Sequence, residues 1–127
     1  MAVGAIVLVG DLVLLIRRKN PPLQGAWTLP GGRVQRGERL ADALRREVRE
    51  ETALEVTVKE LVEVVEIVTG EHHFVIMDYR AELVSEKTTL RAGDDATDAR
   101  FVAVSELRTL GVTEAVERVV EKAISMR

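Results

Sequence analysis

Glu47, Glu50 and Glu51 are three carboxylates at spacings of i, i+3 and i+4, which lie together on one side of the chain if residues 39–52 are helical. With Leu40 set at zero and about 100° per residue, Leu44, Val48 and Ala43 fall at roughly 40°, 80° and 300° and define an inward face. Glu47 and Glu51 fall at roughly 340° and 20°, inside that apolar stripe, with Glu50 at its edge near roughly 280°. Asp42, Arg45 and Arg49 fall opposite, where a solvent face belongs. Clustered carboxylates repel one another, more strongly when desolvated. Arg46 is placed i to i+4 with Glu50, but one guanidinium cannot neutralise three acids. A hard divalent cation such as Mg²⁺ or Mn²⁺ can, because it takes oxygen ligands. Composition alone would make this helix a solvated, salt-bridged face; the position of the acids in the apolar stripe argues for a site instead.

The segment from Lys19 to Gly37 carries all three prolines, Pro21, Pro22 and Pro30, together with Gly25, Gly31, Gly32 and Gly37. It reads as a shaped loop in which Trp27-Thr28-Leu29 is the only short strand. This loop delivers backbone groups and Glu38 beside the acidic helix. The Gly32 to Gly37 spacing is not a phosphate-cradling loop, because Glu38-Arg39 follows where that motif has Lys and then Ser or Thr. Phosphate in so acidic a site must be held through metal. Arg17-Arg18-Lys19, Arg33 and Arg36 are the nearby cations that could touch substrate phosphates.

Around this centre the chain reads as mixed α and β. Residues 2–9 and 12–17 are strand-like and separated by the turn pair Gly10-Asp11, and 55–69 and 73–84 read as a second antiparallel pair around Gly70-Glu71. Val75, Met77, Tyr79, Ala81 and Leu83 mark one face of the latter strand, and Phe74 is expected in the core. Ser85 to Asp98 is expected as a loop, followed by a short apolar segment at Arg100 to Val104. Thr113 to Met126 places Val116, Val119, Val120, Ala123 and Ile124 on one helical stripe. His72 and His73 are adjacent, so a strand would point them to opposite faces and they cannot chelate one metal together.

The chain has 127 residues, 46% apolar and 31% charged, enough for one domain over residues 1–127. Eighteen Lys plus Arg against 21 Asp plus Glu give a net charge of −3, which disfavours bulk nucleic-acid binding. The four aromatics, Trp27, Phe74, Tyr79 and Phe101, are too few for a single-strand stacking platform. The absence of cysteine excludes disulfides, zinc-thiolate sites and thiol nucleophiles. Ala2 to Val9 is too short and too interrupted for a spanning helix or a signal peptide. The expectation is a soluble, cytoplasmic protein without a membrane partner.

Gly32, five residues, Glu38, seven residues and then Arg46-Glu47-Val48-Arg49-Glu50-Glu51-Thr52-Ala53-Leu54 strongly resembles the signature of the Nudix hydrolases. Trp27-Thr28-Leu29-Pro30-Gly31-Gly32 resembles the family's approach to that signature. The one departure is Ala53, where the family usually has glycine, and it falls in the turn after the acids. The resemblance implies an α/β/α sandwich with a mixed central sheet. It implies hydrolysis of a pyrophosphate bond in a nucleoside diphosphate linked to another group, with Mg²⁺ or Mn²⁺ as cofactor. It also implies Glu47, Glu50 and Glu51 as metal ligands together with the Gly31 carbonyl, Arg46 as the residue orienting the glutamates, and Glu38 as a supporting acid.

Such chemistry needs a base to take a proton from the attacking water. Glu50 and a loop acid are both open, with Asp95 preferred over Asp94 and Asp98. Arg18, Arg33 and Trp27 are the substrate-binding candidates. The substrate classes are an ADP-ribose-like sugar nucleotide and a nucleoside triphosphate, and a homodimer is compatible with the resemblance. The alternative is a Nudix-type module that binds a nucleotide without cleaving it. Such modules usually lose acids from the signature, whereas every charged position is filled here.

Overall fold

Val, Ile and Leu recur through both ends of the opening hairpin, and the fold buries them on both faces of the sheet they build. A computed structural model describes residues 1–20, 23–85, 89–93 and 96–127. Its strands are β1 (Ala2–Val9), β2 (Leu12–Arg18), β3 (Trp27–Thr28), β4 (Gly31–Arg33), β5 (Val56–Thr69), β6 (His72–Leu83) and β7 (Ala96–Ala103). The helices are α1 (Leu40–Thr52), the short α2 (Leu107–Leu110) and α3 (Glu114–Ser125).

The strands order as β3-β2-β1-β6-β5, with β4 also on β1 and β7 also on β2. The sheet is mixed: β1 runs parallel to β6 and antiparallel to β2 and β4. Alternation along β1 explains the layers. Val3, Ala5 and Val7 face α1, packing with Leu14, Ala43, Leu44 and Val48. Ile6 faces the other way, into a second core with Val13, Leu15, Leu107, Val119, Val120 and Ala123. Helices therefore cover both faces, the α/β/α sandwich expected. No helix among the described residues is long and apolar enough to cross a membrane.

Three expectations change. The Gly/Pro loop contains a second strand, β4, because Ala2, Val3 and Gly4 pair with Arg33, Gly32 and Gly31; Gly-Gly-Arg carries no strand propensity of its own, so tertiary pairing decides it. The expected loop Ser85 to Asp98 is cut short, since β7 begins at Ala96 and runs along β2 with Asp98 opposite Arg17. Phe74 is not core: it is 37% exposed and stacks on His72, the ring centroids lying 5.5 Å apart.

The end of α1 shows how the acidic helix stops. Thr52 donates its hydroxyl to the Val48 carbonyl at 2.6 Å and accepts from the Leu54 N–H at 3.2 Å. Ala53 then takes a left-handed conformation with φ of 65°, the geometry usually given to glycine at this place. An alanine there costs about 1–2 kcal/mol, partly offset by its lower entropy in the unfolded chain. Ala53→Gly is therefore expected to stabilise the fold by about 1 kcal/mol, and chemical denaturation against the parent checks it. An unchanged midpoint would mean that the turn absorbs the strain.

Candidate functional site

The acidic face of α1 lies against β4, and each inward glutamate is fixed by something small or donating beneath it. Glu51 is only 5% exposed, and its Oε1 accepts a hydrogen bond from the Gly31 N–H at 2.8 Å. Glu47 rests directly on the β4 backbone: a Cβ added at Gly32 would stand 2.5 Å from the Glu47 carboxyl carbon. Glycine at 32 is thus a space requirement imposed by the acid. The helical wheel therefore gives the inward placement of Glu47 and Glu51, while Glu50, expected at the edge of the stripe, is exposed to solvent.

Arg46 ties the cluster together. Its Nε and Nη2 donate to the two oxygens of Glu38 at 2.7 and 3.0 Å, and Nη2 also donates to the Arg33 carbonyl at 3.0 Å. Nη1 donates to Glu47 at 2.8 Å and, more distantly, to Glu50 at 3.3 Å. The fork-on-carboxylate geometry makes Glu38 its main partner. Glu38 also accepts from the Gln35 N–H at 3.0 Å. The Arg46 guanidinium, followed by that backbone N–H, holds the Glu38 carboxyl below the usual carboxylate range. The pair with Glu38 is the first cause that holds the Arg46 proton more tightly than usual.

The donor set suits a hard divalent cation: it offers oxygens only, two of its acids face inward, and no sulfur or imidazole lies among them. Glu47, Glu50, Glu51 and the Gly31 carbonyl are the groups that would hold it. Among the described residues no three acidic or imidazole side chains are already disposed around one point as a cage, in keeping with Arg46 occupying an oxygen each of Glu47 and Glu50.

Beside Glu47 and Glu51 opens a cavity of about 1000 Å³. It extends from Gly31 and Gly32 across the α3-facing side of the sheet, past Ile16, Leu29, Ile67, Phe74 and Ile76, towards Val116. Arg18 and Arg33 line it. Trp27 does not: it packs into the α3-side core with the Arg100 guanidinium 5.4 Å from its ring centre. Asp98 is engaged on β7, accepting from its neighbour's Ala99 N–H at 2.8 Å and from Arg100 at 2.9 Å. Asp94 and Asp95 lie outside the described residues. The segment leading to them docks on the end of α1, where the Arg91 N–H donates to the Thr52 carbonyl at 3.0 Å and the Gly93 N–H to the Glu51 carbonyl at 3.3 Å.

One cavity residue escapes a reading of the sequence. Asp78 on β6 is 6% exposed and lines the cavity, and no hydrogen-bond donor among the described residues reaches it. Burial, with a smaller contribution from the Glu63 charge, pushes its carboxyl up to about 6. Glu63 lies opposite it in register on β5. The apolar set at 75, 77, 79, 81 and 83 marks one face of β6 as inward; Phe74 and Ile76 beside Asp78 were the sign that the other face is covered too.

A family model described as NUDIX domain matches residues 1–122. An ADP-ribose pyrophosphatase from Methanocaldococcus jannaschii is 36% identical over 112 residues, 87% of this chain and 65% of that protein. The 8-oxo-dGDP phosphatase NUDT18 from Homo sapiens is 43% identical over 56 residues, 44% of this chain and 17% of that protein. This chain thus spans less than two thirds of the length of either relative. Among solved structures, a MutT NUDIX hydrolase from Burkholderia pseudomallei superposes with a TM-score of 0.79 at 27% identity, covering 95% of each chain.

Proposed function

Because this chain belongs to the NUDIX family, we propose that it is a pyrophosphohydrolase that cleaves a nucleoside diphosphate linked to another group, an ADP-ribose-like sugar nucleotide first. The observation that carries this reading is the acidic face of α1 held open to the large cavity, with Glu51 fixed by the Gly31 N–H. The sugar-nucleotide class is favoured because likeness to the ADP-ribose pyrophosphatase extends over 87% of the chain. Likeness to the 8-oxo-dGDP phosphatase covers 44%.

When bound, a divalent cation supplies charge neutralisation at the pyrophosphate and a water of lowered pKa. The chain's own residues do the rest. Glu47, Glu51 and the Gly31 carbonyl orient the oxygen face that cation needs, while Arg46 holds Glu47 and Glu50 in position and Glu38 holds Arg46. Arg18 and Arg33, at the cavity wall, bind substrate phosphate oxygens. Glu50 takes the proton of the attacking water, since it is the exposed acid of the three. Asp95 is the second candidate, because the loop preceding it docks on α1 beside Glu50 and Glu51.

Release of AMP and ribose 5-phosphate from ADP-ribose, compared with other sugar nucleotides, nucleoside triphosphates and oxidised dGTP in Mg²⁺, Mn²⁺ and EDTA, tests this. The expected result is turnover of one class with metal and none in EDTA. Binding without turnover in any metal would replace the hydrolase with a nucleotide-binding module. Arg46 is a positioning residue, so Arg46→Ala is expected to lower kcat about 10- to 100-fold. Arg46→Lys should recover only part, because an ammonium cannot fork onto Glu38. Steady-state kinetics on the two variants decides between this and a role confined to folding.

A further inference from the structure

Among the described residues, the buried carboxyl of Asp78 has no hydrogen-bond partner. Its cross-strand neighbour Glu63 is itself an acid and is engaged with Arg118 at 2.6 Å and Lys122 at 3.6 Å, both on α3. Asp78 stands instead at the wall of the cavity, whose lining also includes Ile16, Leu29, Ile67, Ile76 and Val116. An acid only 6% exposed loses water there without gaining a donor, which is tolerable where a ligand provides one.

The register gives the distance over which that ligand must reach. Gly4 on β1 pairs with Gly31 on one side and with Asp78 on the other, so Asp78 lies two strand spacings, about 10 Å, from the phosphate end of the site. That is a reach suited to a nucleoside 5′-phosphate. Gly4 also keeps the acid accessible, because a Cβ there would stand 2.3 Å from Asp78 Oδ1. Along the same cavity, Phe74 with His72 stacked on it provides an aromatic surface for a base to lie against.

We propose that Asp78 determines base specificity in the reaction proposed above, its carboxyl accepting from the exocyclic amino group of a nucleobase. Adenine, guanine and cytosine carry such an amine; unsubstituted purine presents no N–H donor in that place. A site built around a buried acceptor rejects ligands that leave it unpaired.

The proposal rests on the hydrolase reading, and its test separates the two. Binding is measured by calorimetry in Mg²⁺ with the α,β-methylene analogue of ADP-ribose, whose bridging carbon blocks cleavage, and with the same analogue carrying unsubstituted purine. Methylenediphosphonate serves as a base-free probe of the phosphate end. The parent protein should bind the adenine analogue about 10- to 100-fold more tightly than the purine one. In Asp78→Ala the ratio should fall to near one with methylenediphosphonate binding unchanged. Asp78→Asn, which keeps the shape and an acceptor oxygen, should retain part of the ratio and guards against an Ala variant that fails to fold. Equal binding of both analogues by the parent, or an undiminished ratio in Asp78→Ala, would overturn the assignment of Asp78 alone. Failure of every probe to bind the parent would overturn the hydrolase reading beneath it.

Discussion

Glu51→Gln is expected to lower kcat/KM for the metal-dependent reaction by about 10³-fold, close to 4 kcal/mol of transition-state stabilisation. The substitution is isosteric. The carboxamide oxygen still accepts from the Gly31 N–H, the 2.8 Å bond that fixes the parent side chain, so the helix and β4 stay in register. What is lost is one negative charge from a nearly buried position, where electrostatic terms are largest. The fold should be about as stable as the parent, since the shape and the bond from the Gly31 N–H are kept. Thermal unfolding and kinetics measured together test both halves. Near-parent turnover at unchanged stability would remove Glu51 from the site and with it the acidic-face mechanism.

Asp78→Asn should stabilise the protein at pH 7.5 and do little at pH 4. The folded carboxyl is pushed from an ordinary 3.8 up to about 6, so the fold favours the protonated form. Below pH 3.8 both states hold the proton and the group costs nothing extra. Between pH 3.8 and about 6 the unfolded chain gives up its proton while the folded one retains it, and stability falls. Above that window the penalty is constant, at about 3 kcal/mol as an upper figure. The amide cannot ionise, so its advantage should appear as pH rises through the window.

The charged groups around Asp78 are Glu63 on β5, Arg118 and Lys122 on α3 beyond it, and Arg18, Arg33, Glu47, Glu51 and His72 along the cavity. Only Glu63 adds to the rise, behind burial. Urea unfolding of parent and variant at the two pH values measures the difference. A gain independent of pH would assign the effect to packing rather than to the buried charge. A more stable protein with a weaker base preference would show Asp78 retained for binding at the expense of stability.

The same contrast separates what was legible along the chain from what was not. The inward placement of Glu47 and Glu51 follows from helical period alone, because residues three and four apart share a face whatever surrounds them; the exposure of Glu50, at the edge of that face, is settled by the fold. The signature from Gly32 to Leu54, the helix that carries it, the two strand pairs and the amphipathic α3 were likewise local matters of period and turn residues. Arg46 is only partly legible. Its i to i+4 relation to Glu50 is visible in the sequence, yet its strongest bonds go to Glu38 and Glu47, because the chain between Gly32 and α1 folds Glu38 back over the helix.

Three features required the tertiary structure. β4 exists because β1 lies beside it and Gly4 pairs with Gly31, not because Gly-Gly-Arg favours a strand. Trp27 turns from the cavity into the α3-side core, a choice made by packing. Asp78 is buried because β6 is covered on both faces, which Phe74 and Ile76 hint at but the alternation at 75–83 does not show. The sequence by itself determined the acidic helix face and its glycine-bounded entry, since those depend on spacing within one segment. Only the tertiary structure decided which distant residues complete the cavity, since Asp78 and Gly31 meet the same glycine of β1 from opposite sides and 45 residues of chain lie between Gly32 and Asp78.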